Sequence, residues 1–206
     1  YDPSHDFYHV DRVRRLALAI AHSLHGVDLL VVELAALFHD LIDAKYLPKN
    51  APKPTARETL DPFWSQHDDD DNADHQILNE ERRRLIERIV DNVSYSKEVK
   101  RIAAGQQTEW HLSCLELHCV QDADKLDAIG AFGIMRCAAY SAIANRPLFV
   151  PNPPPPASLA TATNGSPGIP SAAEEEHCAL DHFHAKLFKL EGMMKTRRGR
   201  ELATRR

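Results

Sequence analysis

The stretch Val31-Val32-Glu33-Leu34-Ala35-Ala36-Leu37-Phe38 carries one charged residue and runs directly into His39-Asp40. A segment this apolar belongs in a core, and it takes the imidazole and carboxylate at its end in with it. A charged pair held away from water needs compensation. Adjacent imidazole and carboxylate groups can chelate one divalent cation, so the pair marks a core helix that ends at a metal site.

The surrounding pattern is helical. Val13, Leu16, Ala17, Ile20, Ala21 and Leu24 recur at three- and four-residue steps, predicting an amphipathic helix from Val10 to Leu24 with His9 and Arg12 at its start. Gly26 ends it, and Asp28 is the expected N-cap of a second, almost wholly apolar core helix through to His39-Asp40. Pro48, Pro52, Pro54 and Pro62 are expected to break regular structure, and the like-charge run Asp68 to Asp71 reads as a solvated loop. Helical spacing returns at Ile77, Leu78, Leu85, Ile86, Ile89, Val90 and Val93, with Ser94-Tyr95-Ser96 closing that helix. Residues 97–117 show no clear pattern and are taken as a loop.

Asp122 to Tyr140 reads as one buried helix in which Ala128, Gly130, Ala131 and Gly133 permit close packing. Glycines there cost about 1 kcal/mol each relative to alanine, so packing or a ligand should require them. Residues 147–171 form a Pro-rich loop insertion, including Pro153 to Pro156, whose composition cannot build a packed core. A last amphipathic helix is expected from near Ala172, carrying Leu180, Phe183, Leu187, Phe188 and Leu190. With no strand run of useful length, the expected fold is all-α, one helical domain over residues 1–206 with long loops.

Composition excludes several functions. A net charge of -5 argues against general nucleic-acid binding, so any phosphate pocket must be cationic locally. A mean hydropathy of -0.41 without a long uncharged apolar stretch argues against a membrane span. Cys114, Cys119, Cys137 and Cys178 form no CxxC pair, which suits a reducing cytoplasm. His111, Cys114, His118 and Cys119 match no common zinc spacing and are read as scattered side chains.

Four blocks, Asp2 to Arg15, Leu34 to Tyr46, Val120 to Arg136 and His182 to Arg205, occur in an order that resembles the HD superfamily of metal-dependent phosphohydrolases. They are similar in particular to its small stand-alone bacterial-type members, which include nucleoside-triphosphate diphosphohydrolases. The resemblance implies an HD-domain helical bundle and one divalent ion, Mn, Co, Fe(II) or Mg, held by His9, His39, Asp40 and Asp124. This mixed nitrogen and oxygen set leaves positions for water and substrate. Asp43 then orients or deprotonates the attacking water, or merely holds a ligand. Lys45 and Arg12 bind phosphate or pair with a nearby Asp.

His5 contacts phosphate, protonates the leaving group, or has a structural role. Around Asp124, Lys125 is expected to face solvent, with a lesser part in substrate binding than Lys45. Asp127 reaches a ligand or the sugar, Arg136 contacts substrate, and Asp122 caps its own helix. The implied reaction is hydrolysis of a nucleoside or deoxynucleoside triphosphate to monophosphate and pyrophosphate, with a nucleoside monophosphate phosphatase as runner-up. A di-iron oxygenase on the same fold would need extra ligands from His67, His75, His111 or His118, and a nucleotide sensor would bind without turnover. The implied partner is a small nucleotide, with neither nucleic acid nor membrane, and a homodimer is compatible with the resemblance.

Overall fold

A computed structural model of the chain describes residues 3–42, 53–68, 77–151 and 177–206. The described residues form ten α-helices and no strand: α1 (Phe7–Ala21), α2 (Leu29–Phe38), α3 (Ala56–Asp68), α4 (Glu80–Asn92), α5 (Tyr95–Ala103), α6 (Glu109–Ser113), α7 (Leu115–Asp127), α8 (Gly130–Ile143), α9 (Ala179–Ala185) and α10 (Arg197–Ala203). No single helix among them is long and apolar enough to cross a membrane.

Helices α1, α2 and α7 pack against one another, with α4 laid on α2, α3 on α4, and α10 on α7. In α1, Asp6 is the N-cap and accepts from the His9 amide, while Val13, Ala17, Ile20 and Ala21 form the buried stripe. In α2, Asp28 caps Leu30 and Val31, and the side chains of Val31, Val32, Ala35 and Ala36 are wholly enclosed. The small Ala35 and Ala36 let neighbouring helices approach closely. The most enclosed helix is nevertheless α7, which buries Gln121, Asp122, Lys125 and Asp127 beside Leu117, Val120, Ala123 and Leu126.

Several local expectations need correction. Most of residues 97–117 is helical, divided among α5, α6 and the start of α7, with a turn and short connection at 104–108. Ser94 is the N-cap position of α5 rather than part of a closing turn. The expected helix from Asp122 to Tyr140 is two helices bent by 71°. Gly130, at φ +70°, supplies the left-handed residue at that corner. Gly133 follows because the Ala128 carbonyl lies where a side chain would begin. Pro62 sits inside α3, whose Ala56, Leu60 and Trp64 are buried firmly enough to hold the helix across the missing amide donor. The C-terminal helix is interrupted: α9 gives way to two 3₁₀ turns, Leu187–Lys189 and Glu191–Met193, before α10. Ala172 and most of the Pro-rich segment lie outside the described residues.

Asp122 caps a helix, but not its own. From the middle of α7, fully buried, its carboxylate accepts from the amides of Lys195 (2.9 Å) and Thr196 (2.8 Å) and from the Thr196 hydroxyl (2.8 Å). Thr196 in turn caps α10 by accepting from the Gly199 amide at 2.9 Å. A methyl group at Gly199 would run into that same carboxylate. Asp122→Ala leaves two buried amides without an acceptor and is expected to destabilise the fold by roughly 2–4 kcal/mol in chemical denaturation. A loss below about 0.5 kcal/mol, the size of a neutral surface change, would remove Asp122 from this role.

Candidate metal centre

Two histidines reach the centre with their tautomers fixed. His9, in the first turn of α1, is 1% exposed, and its Nδ1 donates to Asp127 Oδ2 at 2.8 Å. His39 is the C-cap of α2, and its Nδ1 donates to the Ala36 carbonyl, which can only accept, at 2.7 Å. Both Nε2 atoms are thereby turned inward, 3.2 Å apart. Asp40 Oδ2 lies 3.4 Å from His9 Nε2 and 3.5 Å from His39 Nε2. From α7, Asp124 Oδ1 lies 3.8 Å and 3.9 Å from the same two nitrogens.

Four donors from three helix ends therefore converge. Neighbouring ligands at bonds of about 2.1 Å in an octahedral shell stand about 3 Å apart, so a small contraction suffices to enclose an ion. Opposed imidazole lone pairs beside two carboxylates favour a cation between them. His9, His39 and Asp124 offer ligand atoms that all lie within 4.8 Å of one another, an arrangement that could hold a metal ion. Electrostatics agrees with this attraction for positive charge. Burial depresses the His9 pKa, but hydrogen bonds to Asp127 and Asp40 and the charge of Asp124 outweigh it and raise the net value. Burial opposes ionisation of Asp124, yet His39 and His9 bring its pKa below the ordinary value.

Behind His9 stands a second charged layer. Asp127, 1% exposed, receives Arg12 Nε at 2.7 Å, Arg12 Nη2 at 3.1 Å and Arg136 Nη1 at 3.1 Å. Burial raises the Asp127 pKa, but hydrogen bonds from His9 and Arg12 hold it well below the usual carboxylate range. Arg12 is thus committed to Asp127 and lies over the Phe132 ring at 4.6 Å, away from the cavity lining. Lys125, expected to face solvent, is 3% exposed instead. Its Nζ and that of Lys195 each stand 2.7 Å from the buried carboxylate of Glu98. Burial would neutralise Glu98, but these two ammonium groups keep its pKa low.

The donor cluster opens into a cavity of about 440 Å³, large enough for a nucleotide-sized ligand. Its walls include His5, Lys53, Lys97, Lys100, Lys125, Arg136 and Lys186, while among the described residues the acidic members are Asp40 and Asp124 of the cluster. Sequence reasoning missed Lys53, Lys97, Lys100 and Lys186. The available signal was the pair Lys97 and Lys100, three residues apart and so on one face of a helix in an otherwise acidic chain.

Asp43 and Lys45 lie outside the described residues, as do His75 and the side chain of His67. The chain from His39 to Ile42 is a turn rather than a continuation of α2, so helical spacing does not carry Asp40's direction on to Asp43. His111 and His118 are engaged elsewhere. His111 pairs with Thr108 and Asn92, and His118 Nε2 donates to the His111 carbonyl. Burial pushes the nearby thiols of Cys114 and Cys119 up to about 11 and about 12, which keeps them protonated and poor zinc ligands.

Comparison with known proteins gives a consistent result. A model of the HD domain family matches residues 6–129. The sequence is 33% identical over 202 residues to the uncharacterized protein YpgQ of Bacillus subtilis (strain 168), covering 98% of this chain and 77% of that one. The crystal structure of Bacillus subtilis YpgQ in complex with ADP is similar at a TM-score of 0.65 and 28% identity, over 98% of this chain and 82% of that one. An HD-superfamily hydrolase from Bacillus thuringiensis is similar at a TM-score of 0.58 and 26% identity, over 98% and 78% of the two chains.

The raised pKa of His9 gives the metal-free protein a characteristic pH response. The native state retains this proton where the unfolded chain has released it. The resulting stability is complete below about 6.5, the ordinary imidazole value, and is lost as pH rises through the raised one. His111 and His118, shifted downward by burial, act only below that window. The melting temperature of metal-stripped protein is expected to fall as pH rises above about 6.5, and added Mn²⁺ to restore it. Asp127→Asn should flatten this fall and weaken Mn²⁺ binding about 10–100-fold. A metal-free melting temperature that rises over the same range would contradict the assignment.

Proposed function

This chain belongs to the HD domain family, and from that premise we propose that it is a metal-dependent phosphohydrolase acting on nucleoside or deoxynucleoside triphosphates. The observation that carries the reading is the cavity itself, with two imidazoles and two carboxylates at its floor and cationic side chains on its walls. In an acidic protein, such local clustering is matched to a highly charged anion. A triphosphate fits that charge better than the monoester of the runner-up reaction, a nucleoside monophosphate phosphatase. ADP in the crystal structure of the relative supports a nucleotide as the ligand.

In the proposed site, His9, His39, Asp40 and Asp124 hold the divalent ion. Such an ion supplies acidification of water and polarisation of a phosphoryl oxygen. The chain's own groups do the rest. Lys97, Lys100 and Lys186 neutralise the phosphate chain, and Lys125, held by Glu98, adds a fixed positive charge beside Asp124. Arg136 and His5 line the same cavity and are assigned to the same anion. Asp43 is assigned to orient the attacking water and accept its proton, and Lys45 to contact phosphate. Arg12 acts through Asp127, holding the carboxylate that sets the His9 tautomer. The di-iron alternative is disfavoured by the hydrogen bonds that occupy His111 and His118.

The test is a panel of nucleotides with Mn²⁺, Co²⁺ and Mg²⁺, with monophosphate, orthophosphate and pyrophosphate resolved as products. Equal yields of monophosphate and pyrophosphate from triphosphates are expected. Orthophosphate released from monophosphates alone would select the runner-up. Replacing both Lys97 and Lys100 by Ala should raise KM for triphosphates by about tenfold or more, the loss of roughly one charge-assisted contact, with a smaller effect on monophosphates.

A further inference from the structure

A second cavity of about 200 Å³ adjoins the first, and the two share His5, Ala128, Arg136 and Lys186. Its remaining walls have a different chemistry. Gly133, Cys137, Tyr140 and Leu187 make them largely apolar, with Arg146 and His182 at the side, and none of the four metal-site donors reaches it. The Tyr140 ring, 37% exposed, is braced edge-on by His5 with centroids 6.0 Å apart, and the Arg146 guanidinium lies 5.8 Å from its centre. His5 also stands edge-on to His9 at 5.8 Å, so the wall shared by the cavities abuts the donor cluster.

Resting on the phosphohydrolase reading above, we propose that the two cavities divide the substrate, with the nucleobase in the second cavity stacked on Tyr140 and the phosphate chain in the first. The aromatic platform among Gly133, Cys137 and Leu187 suits a flat ring, while Arg136, Arg146 and Lys186 border the same recess and can meet the phosphate next to the sugar. From there the chain crosses between His5, Arg136 and Lys186, so the phosphate next to the sugar meets the donor cluster. The outer phosphates extend towards Lys97 and Lys100, which line the first cavity alone. This order sets the scissile bond. The oxygen of water bonds to the α-phosphorus, the α-phosphorus bond to the bridging oxygen breaks, and that oxygen leaves with pyrophosphate. Water's proton passes to a base or to solvent.

The experiment measures ADP and inorganic pyrophosphate binding to the Mn²⁺-loaded full chain by calorimetry. Tyr140→Ala is expected to weaken ADP by about tenfold or more, the scale of one lost stacking partner, while changing pyrophosphate by less than about twofold. Tyr140→Phe should retain ADP affinity, because the ring face and not the hydroxyl carries the contact. Unchanged ADP binding in Tyr140→Ala, or an equal loss of pyrophosphate, would overturn the division of the cavities while leaving the phosphohydrolase reading intact. Wild-type protein that binds neither probe would overturn both.

Discussion

His9 Nε2 and His39 Nε2 face each other at 3.2 Å because the opposite nitrogen of each ring is committed, one to Asp127 and the other to the Ala36 carbonyl. Two lone pairs held in opposition inside a protein repel unless positive charge stands between them. Much of the surrounding structure maintains that arrangement. Asp127 must remain ionised to fix the His9 tautomer, and an ionised carboxylate that is 1% exposed needs compensation. Arg12 and Arg136 provide it, and Arg136 also donates to the Ser4 carbonyl at 2.7 Å, fixing the chain just ahead of α1.

The same logic explains why the most enclosed helix is also one of the most charged. Along α7, Asp122 receives the backbone leading into α10, Asp124 faces the donor cluster, Lys125 meets Glu98, and Asp127 meets His9. Each partner is distant in sequence: Asp122 is met by amide and hydroxyl donors, and Lys125 and Asp127 by opposite charges. Removing one partner from such a network leaves a buried charge exposed to the low-dielectric interior, typically a loss of about 3–5 kcal/mol. The network therefore specifies where α5, α7 and α10 sit more than it adds to stability. Its outcome is a cationic recess above a carboxylate and imidazole floor.

The four side chains that the fold brings together could be located from the sequence because His39 and Asp40 end an apolar run, while His9 and Asp124 sit in blocks of recognisable order. Helices α1 and α2 were legible from apolar spacing and the Asp28 cap. Helix α5 was not, because the residue it buries most deeply is Glu98, whose partners Lys125 and Lys195 are distant in sequence. The lysines of α5 were missed for the same reason: without the helix, Lys97 and Lys100 have no common face. Lys125 was misread since a lysine beside an aspartate ordinarily faces water. The corner between α7 and α8 falls among helix-compatible residues, and only the backbone angle at Gly130 marks it. Asp122 resembled a local cap, whereas its acceptors serve residues more than seventy positions away.

The central claim is that four side chains from α1, α2 and α7 share one ion. A crystal soaked in Mn²⁺, with data collected at a wavelength where manganese scatters anomalously, tests it directly. The account predicts one strong peak per chain, within about 2.4 Å of His9 Nε2, His39 Nε2 and a carboxylate oxygen from each of Asp40 and Asp124. A peak from which any of the four stands more than about 3 Å away, or a pair of peaks bridged by other histidines, would contradict it.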